Sequence, residues 1–189
     1  MKVVREIYSD TIEIKGSKFI SFLLPISKFK DELERLRLEH PKAVHFVSAS
    51  RYLNEFDQIV ESSSDDGEPR GTSGRPTLMV LQGGDIVNSA IITVRYFGGT
   101  KLGTGGLVKA YSDAANAAID SALLDDYIKE YERVFSCSYS DISMVEYELS
   151  QESITPSQKS FDENGATFII FASIDKIDRL YKKLDRIIT

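Results

Sequence analysis

AIITVRYFGGTKLGTGGLVKAYSD, residues 90–113, is the stretch whose reading decides the fold. It opens on an apolar, β-branched run at 90–94, closed by Arg95, Tyr96 and Phe97, with the length and composition of a strand buried on both faces. Five of the chain's twelve glycines then fall within nine residues: Gly98, Gly99, Gly103, Gly105 and Gly106. From Leu107 onward the spacing of Leu107, Val108, Ala110, Tyr111, Ala114, Ala115, Ala118 and Ala122 predicts a helix with a small-residue face that lies close against a sheet. The unit reads as strand, glycine loop, helix.

Glycines permit positive φ and carry no Cβ, so several backbone N–H groups can converge on one ligand at a helix N-terminus, and the ligand that geometry favours is an anion. Thr100, Lys101 and Thr104 add two hydroxyls and an ammonium, and Lys109 brings a second positive charge one turn into the helix. The spacing fits neither GxxxxGK[ST] nor a GxGxxG dinucleotide loop with its acidic partner. Two readings stand side by side here. In one the glycines make tight turns and let the helix pack on the strand. In the other Arg95, Gly98, Gly99, Thr100, Lys101, Gly103, Thr104, Gly105, Gly106 and Lys109 form a phosphate or nucleic-acid site.

Upstream, SSSDDGEPRGTSGRP at 62–76 gathers a second set of charges and glycines: Asp65, Asp66, Gly67, Glu68, Arg70, Gly71, Thr72, Ser73, Gly74 and Arg75. The carboxylates suit a divalent cation and the arginines a phosphate. Equally, the glycines and Pro69 shape an ordered turn, the charges pair internally, and Ser73 caps a helix with Pro76 near its start. Adjacent aspartates in an extended loop do not converge on one ion by themselves, so no metal is expected. Eight of the twelve glycines lie in these two loops, which are predicted to face each other across a cleft.

RYFGGTKLGTGGLVKAYSDA together with SDDGEPRGTSGRP resembles the signature of the IMPACT/YigZ family, over roughly residues 17–125 and more weakly after Tyr127. The resemblance implies an α+β chain. A ribosomal-protein-S5 domain-2-like two-layer α/β domain at 1–126 is followed at 127–189 by a small ferredoxin-like domain similar to the last domain of the translocating elongation factor. Bacterial members have no settled biochemical activity. Eukaryotic relatives act in translational control, binding an activator of the kinase that responds to amino-acid starvation through an additional N-terminal domain. The family also places a histidine at His45 and commonly follows it with a cysteine and an aromatic, where this chain has Val47 and Ser50.

The bulk numbers are compatible with that reading. The 189 residues, 42% hydrophobic and 28% charged, suit a soluble globular chain of one medium domain or two small ones. No run approaches the roughly 20 apolar residues of a membrane span, and residues 1–10 lack a signal-peptide layout, so a cytoplasmic protein without a membrane partner is expected. The net charge of -6 and pI near 5.0 argue against nonspecific coating of nucleic acid. The two segments divide that charge equally, so neither is a basic arm. Cys137, the sole cysteine, excludes an internal disulfide and reads as a buried thiol in a strand. His45 reads as a histidine satisfied by neighbouring backbone, His40 as exposed at a helix end, and no zinc site follows from them.

Around these motifs the pattern is scaffold. Strands are predicted at 3–9 and 18–26 with Gly16 and Ser17 in the turn, then an amphipathic helix at 27–40 capped by Ser27 and ended by Pro41. A strand at 43–50, a helix at 75–82, a turn at 83–85 and the strand at 88–96 follow. Beyond a polar hinge, strand 133–139, helix 141–149, strands 154–161 and 167–173 and helix 175–188 give βαββα, one strand short of the ferredoxin-like pattern, with a sheet edge left open.

Three function classes emerge. The first is an RNA- or ribosome-associated module in translation regulation or the stress response, with Arg95, Lys101 and Lys109 neutralising phosphate. The second is an enzyme acting on a nucleotide or phosphorylated small molecule in the glycine-rich cleft, with Asp66 and Lys101 as the nearest base and electrophile. The third is a non-catalytic regulator that binds a translation-control protein. Two histidines and one cysteine supply no Ser-His-Asp or Cys-His set, and the metal ligands of a proline dipeptidase are not visible. The reading therefore leans away from an enzyme, with no cofactor, and leaves oligomeric state open.

Overall fold

The computed structural model describes residues 1–188. The chain divides into two compact units, Met1–Tyr127 and Ile128–Thr189, an α+β arrangement in both.

At the centre of the first unit is the strand of the deciding stretch, β6 (Ser89–Tyr96), in which every residue through Arg95 is buried. It is the middle strand of a five-stranded sheet in the order β2-β3-β6-β4-β5, formed with β2 (Tyr8–Ile14), β3 (Ser17–Pro25), β4 (His45–Leu53) and β5 (Ile59–Ser64). All four pairings are antiparallel. A continuous apolar strand requires cover on both sides, and it has it. On one face α2 (Gly74–Gly83) and α3 (Gly103–Asp120) bury Leu81, Ile86, Ile91, Ala115 and Ala118, and beside them Phe19, Val47, Leu107, Ala110, Tyr111 and Ala114. On the other, α1 (Phe29–Glu39) sets Leu36 against Leu24, Phe46, Ala90, Ile92 and Val94. This is the ribosomal-protein-S5 domain-2-like layout of helices on a mixed-order antiparallel sheet.

Three local expectations are corrected. The strand predicted at 3–9 is split. β1 (Lys2–Val4) leaves the main sheet and pairs antiparallel with β7 (Leu124–Asp126), while Tyr8–Ile14 makes the hairpin with β3. Ser27 caps nothing, because a 3-10 turn at Ile26–Lys28 leads into α1, whose N-cap residue is Lys28 without a side-chain bond. Helix α3 begins at Gly103, four residues before Leu107, so Gly103, Gly105 and Gly106 belong to its first turn.

The second unit is βαββα: β8 (Tyr131–Ser138), α4 (Ile142–Gln151), β9 (Gln158–Phe161), β10 (Gly165–Ala172) and α5 (Ile174–Leu184). The sheet order β8-β10-β9 is that of the first three strands of a ferredoxin-like sheet. Both helices lie on one side, closing Val145, Leu149, Ile177, Leu180 and Leu184 over Phe135, Phe168 and Ile170. Gly165 is required here, since a Cβ would overlap the Cys137 carbonyl. Ile188 makes a single antiparallel bridge to Cys137 on the free edge of β8, where the fourth strand of that order belongs. Cys137 is buried, and burial pushes its thiol above the ordinary value.

Candidate functional site

The backbone leaves β6 at Tyr96 and turns immediately. Gly98 crosses the β2–β3 hairpin so closely that a Cβ would overlap the Gly16 carbonyl and the Ser17 nitrogen, and its N–H donates to the Ser17 Oγ at 3.1 Å. Only glycine fits that crossing. Gly99 and Gly103 both take positive φ, at 84° and 74°, and around Gly99, Gly103 and Gly105 a Cβ would meet nothing within 4 Å. Gly103, Thr104 and Gly105 are exposed. Helix α3, eighteen residues long, therefore starts with a turn almost bare of side chains. No side chain caps it and no acidic residue stands in its first turn, so its leading N–H groups and the positive end of its dipole face outward.

The second glycine segment is fastened to the first through one buried carboxylate. Glu68, 8% exposed, accepts hydrogen bonds from the Arg95 Nη1 at 2.5 Å and the Tyr111 hydroxyl at 2.7 Å. The His45 Nε2 stands 3.8 Å away, and the His45 Nδ1 donates to the Asp66 carbonyl at 2.8 Å. Burial, then the Glu68 charge, pushes the Tyr111 phenol far above its usual range, so it stays a donor. Arg95 is 5% exposed. Its guanidinium lies 5.4 Å from the Phe19 ring and 5.8 Å from the Phe97 ring, and its Nε is buried without an acceptor. Both glycine segments are thus anchored at the same end of β6.

The three acids of the second segment point in different directions. Asp65 reaches forward to α2: its carboxylate accepts from the Gly71 N–H at 2.7 Å, the Ser73 hydroxyl at 2.7 Å, the Gly74 N–H at 2.8 Å and the Ser73 N–H at 3.2 Å. Burial alone would raise its carboxyl, but these bonds together hold it below the ordinary value. Ser73 occupies the N-cap position of α2 as the sequence suggests, yet its side chain caps nothing. Asp65 does that work from eight residues upstream. Asp66 accepts from the Phe46 N–H at 2.6 Å and from Arg37 at 2.8 Å. Glu68 turns inward, so the acids do not converge on a common point. Gly67 and Gly71 take positive φ, Gly74 lies hard against Ser64 backbone, and the Thr72 hydroxyl donates to the Pro69 carbonyl.

The cations of the two segments differ in what they meet. Arg95 is matched by Glu68 inside the domain, and Lys109 by Asp113 one turn along α3, so neither presents a free charge. Arg75 lines a separate depression with Glu61, Ser63, Leu78, Met79 and Gln82. Lys101 and Arg70 are exposed, and among the described residues they make no ion pair. Two further cations that the sequence reading missed lie at the β2–β3 hairpin, Lys18 opposite Glu13 and in register with Tyr96 on the sheet face away from α3. Lys15 and Lys18 flank the hairpin that Gly98 crosses, and they are likewise unpaired among the described residues. The signal was Gly16, whose partner across the crossing lies 82 residues downstream.

The chain matches the Impact N-terminal domain family over residues 15–119. That interval begins at Lys15 and holds both glycine segments. The chain belongs to the IMPACT family. An IMPACT family member of Haemophilus influenzae is 34% identical over 157 residues, covering 80% of this chain and 75% of that protein. The IMPACT family member YigZ of Escherichia coli is 37% identical over 142 residues, 74% of this chain and 70% of YigZ. A crystal structure of a hypothetical protein superposes with a TM-score of 0.68 at 28% identity, covering 97% of this chain and 90% of its own. Within the matched interval lie the glycine crossing at Gly98 and the carboxylate cap at Asp65, tied together through Glu68 and Arg95.

Proposed function

We propose that this IMPACT-family chain is an RNA-binding module that takes backbone phosphate at the bare N-terminus of α3 and serves translation regulation in the cytoplasm, on RNA or the ribosome. The observation that carries the reading is the combination of an uncapped eighteen-residue helix end, made of glycines and one threonine, with a buried guanidinium whose Nε lacks an acceptor between the two glycine segments. Backbone N–H groups and the helix dipole favour an anion there. Lys101, with Lys15 at the hairpin turn that Gly98 crosses and Arg70 on the second glycine segment, supplies charge for successive phosphates. Arg95 holds Glu68 and the loops in place. The family's IMPACT membership is compatible with a role in translation, and the net charge of -6 confines any nucleic-acid contact to this local patch.

An enzyme reading is less well supported. Asp66, the nearest candidate base, has its carboxylate occupied by the Phe46 N–H and Arg37, and Tyr111 and Glu68 are sealed from solvent.

The test is titration of labelled single-stranded RNA at two salt concentrations, with Lys101→Glu alongside wild type. A phosphate contact predicts weaker binding of every sequence and a salt slope shallower by about 0.7 for the variant. Unchanged affinity and slope would remove Lys101 from the interface, and absence of binding by wild type would overturn the reading.

A further inference from the structure

Phe97 is 50% exposed, although it follows directly on seven consecutive buried residues of β6 and the half-buried Tyr96. A bulky ring in that place is held, not loose. Its next neighbour, Gly98, is pinned against Gly16 and bonded to Ser17, and the Arg95 guanidinium stands over the ring at 5.8 Å. The residues that could roof it have no side chains: Gly98 and Gly99 follow, and the space around Gly99 is open. Four residues further on begin the exposed N–H groups of α3, with Lys101 between.

We infer that Phe97 is a stacking platform for an unpaired nucleobase, so that the site selects single-stranded RNA. The inference rests on the phosphate reading above and adds a base contact to it. An aromatic face beside a phosphate-binding backbone is how sequence-tolerant single-strand sites are built, because every base offers a π-face. A duplex, whose bases are already stacked and paired, gains nothing from Phe97.

The chain has no tryptophan, so Phe97→Trp installs a single indole at the proposed contact. Its fluorescence is to be followed during titration with a uridine 12-mer and with an abasic phosphodiester strand of equal length, alongside affinities for wild type, Phe97→Leu and Lys101→Glu. Stacking predicts quenching by the 12-mer and not by the abasic strand. Phe97→Leu should bind the 12-mer about fivefold to a hundredfold more weakly while keeping wild-type affinity for the abasic strand. If Phe97→Leu binds the 12-mer as wild type does, or the indole responds alike to both strands, the platform is overturned while the phosphate reading stands on the Lys101→Glu loss. If wild type binds neither strand, both fall together.

Discussion

Gly105 is the position where the structural and functional explanations of the glycines part. It is the third residue of α3, is exposed and helical, and an added Cβ would meet nothing within 4 Å. Alanine therefore fits without strain. Glycine in a helix costs about 0.5–1 kcal/mol relative to alanine, and part of the gain on replacement comes from a less flexible unfolded chain. Gly105→Ala should stabilise the first unit by about 0.5 kcal/mol, scaled down because the first turn is only partly hydrogen-bonded. In a chain of this size that raises Tm by about 1–2 °C, measurable by urea titration and calorimetry. A methyl over the exposed N–H groups also holds a phosphate away from the backbone, so single-stranded RNA affinity should fall severalfold. A more stable protein with unchanged RNA affinity would refute the claim that the bare turn exists for a ligand. A destabilised protein would refute the described conformation of that turn.

Two further predictions concern the second glycine segment. Asp65→Ala removes the four hydrogen bonds that tie Gly71, Ser73 and Gly74 into the start of α2 and should cost about 2 kcal/mol at pH 7, read as a lower urea midpoint. The depressed folded-state carboxyl makes this stabilisation present above the ordinary aspartate pKa near 3.9 and lost as pH falls through the lower folded value, so wild type and variant should converge in acid. A gap that stays unchanged however far the pH is lowered through the acid range would contradict the cap. Glu68→Gln leaves the Arg95 guanidinium buried without its counter-ion and should cost about 3–5 kcal/mol. Because the pair acts as a unit, Glu68→Gln combined with Arg95→Met should be more stable than the sum of the single losses, and strict additivity in urea unfolding would show that the two side chains do not interact.

The parts of this chain that could be read from sequence are those whose cause is local. Residues 90–94 declare a doubly covered strand because four apolar residues and a β-branched threonine in a row carry no solvent-facing alternation, and β6 is the central strand. Leu107, Ala110, Tyr111, Ala114 and Ala118 declare a buried helix face by spacing alone. The misreadings arise where a residue answers to something distant. Val3 and Val4 alternate like the start of the first hairpin, yet pair with Asp125 and Leu124. Ser73 has the chemistry of a cap, but Asp65, folded back over the turn that Gly67 and Gly71 permit, takes the Gly71, Ser73 and Gly74 N–H groups and the Ser73 hydroxyl itself.

The candidate site shows the same division more sharply. Residue types alone mark Arg95, Lys101 and Lys109 as equivalent phosphate ligands, and burial separates them. Arg95 lies on the covered face of β6 and needs Glu68, 27 positions away, to offset its desolvation. Lys109 has an aspartate one helical turn along. Of these three, Lys101 is the one that makes no ion pair among the described residues. The cost of the arrangement is visible in the helix it precedes. Gly103 needs its positive φ and Gly106 would crowd Leu102 with a Cβ at 3.1 Å, so backbone conformation explains the first and packing the second. Packing explains nothing about Gly105. A first turn kept bare beyond what the fold requires, beside an exposed lysine and a half-exposed phenyl ring, is the feature on which the proposed phosphate site rests.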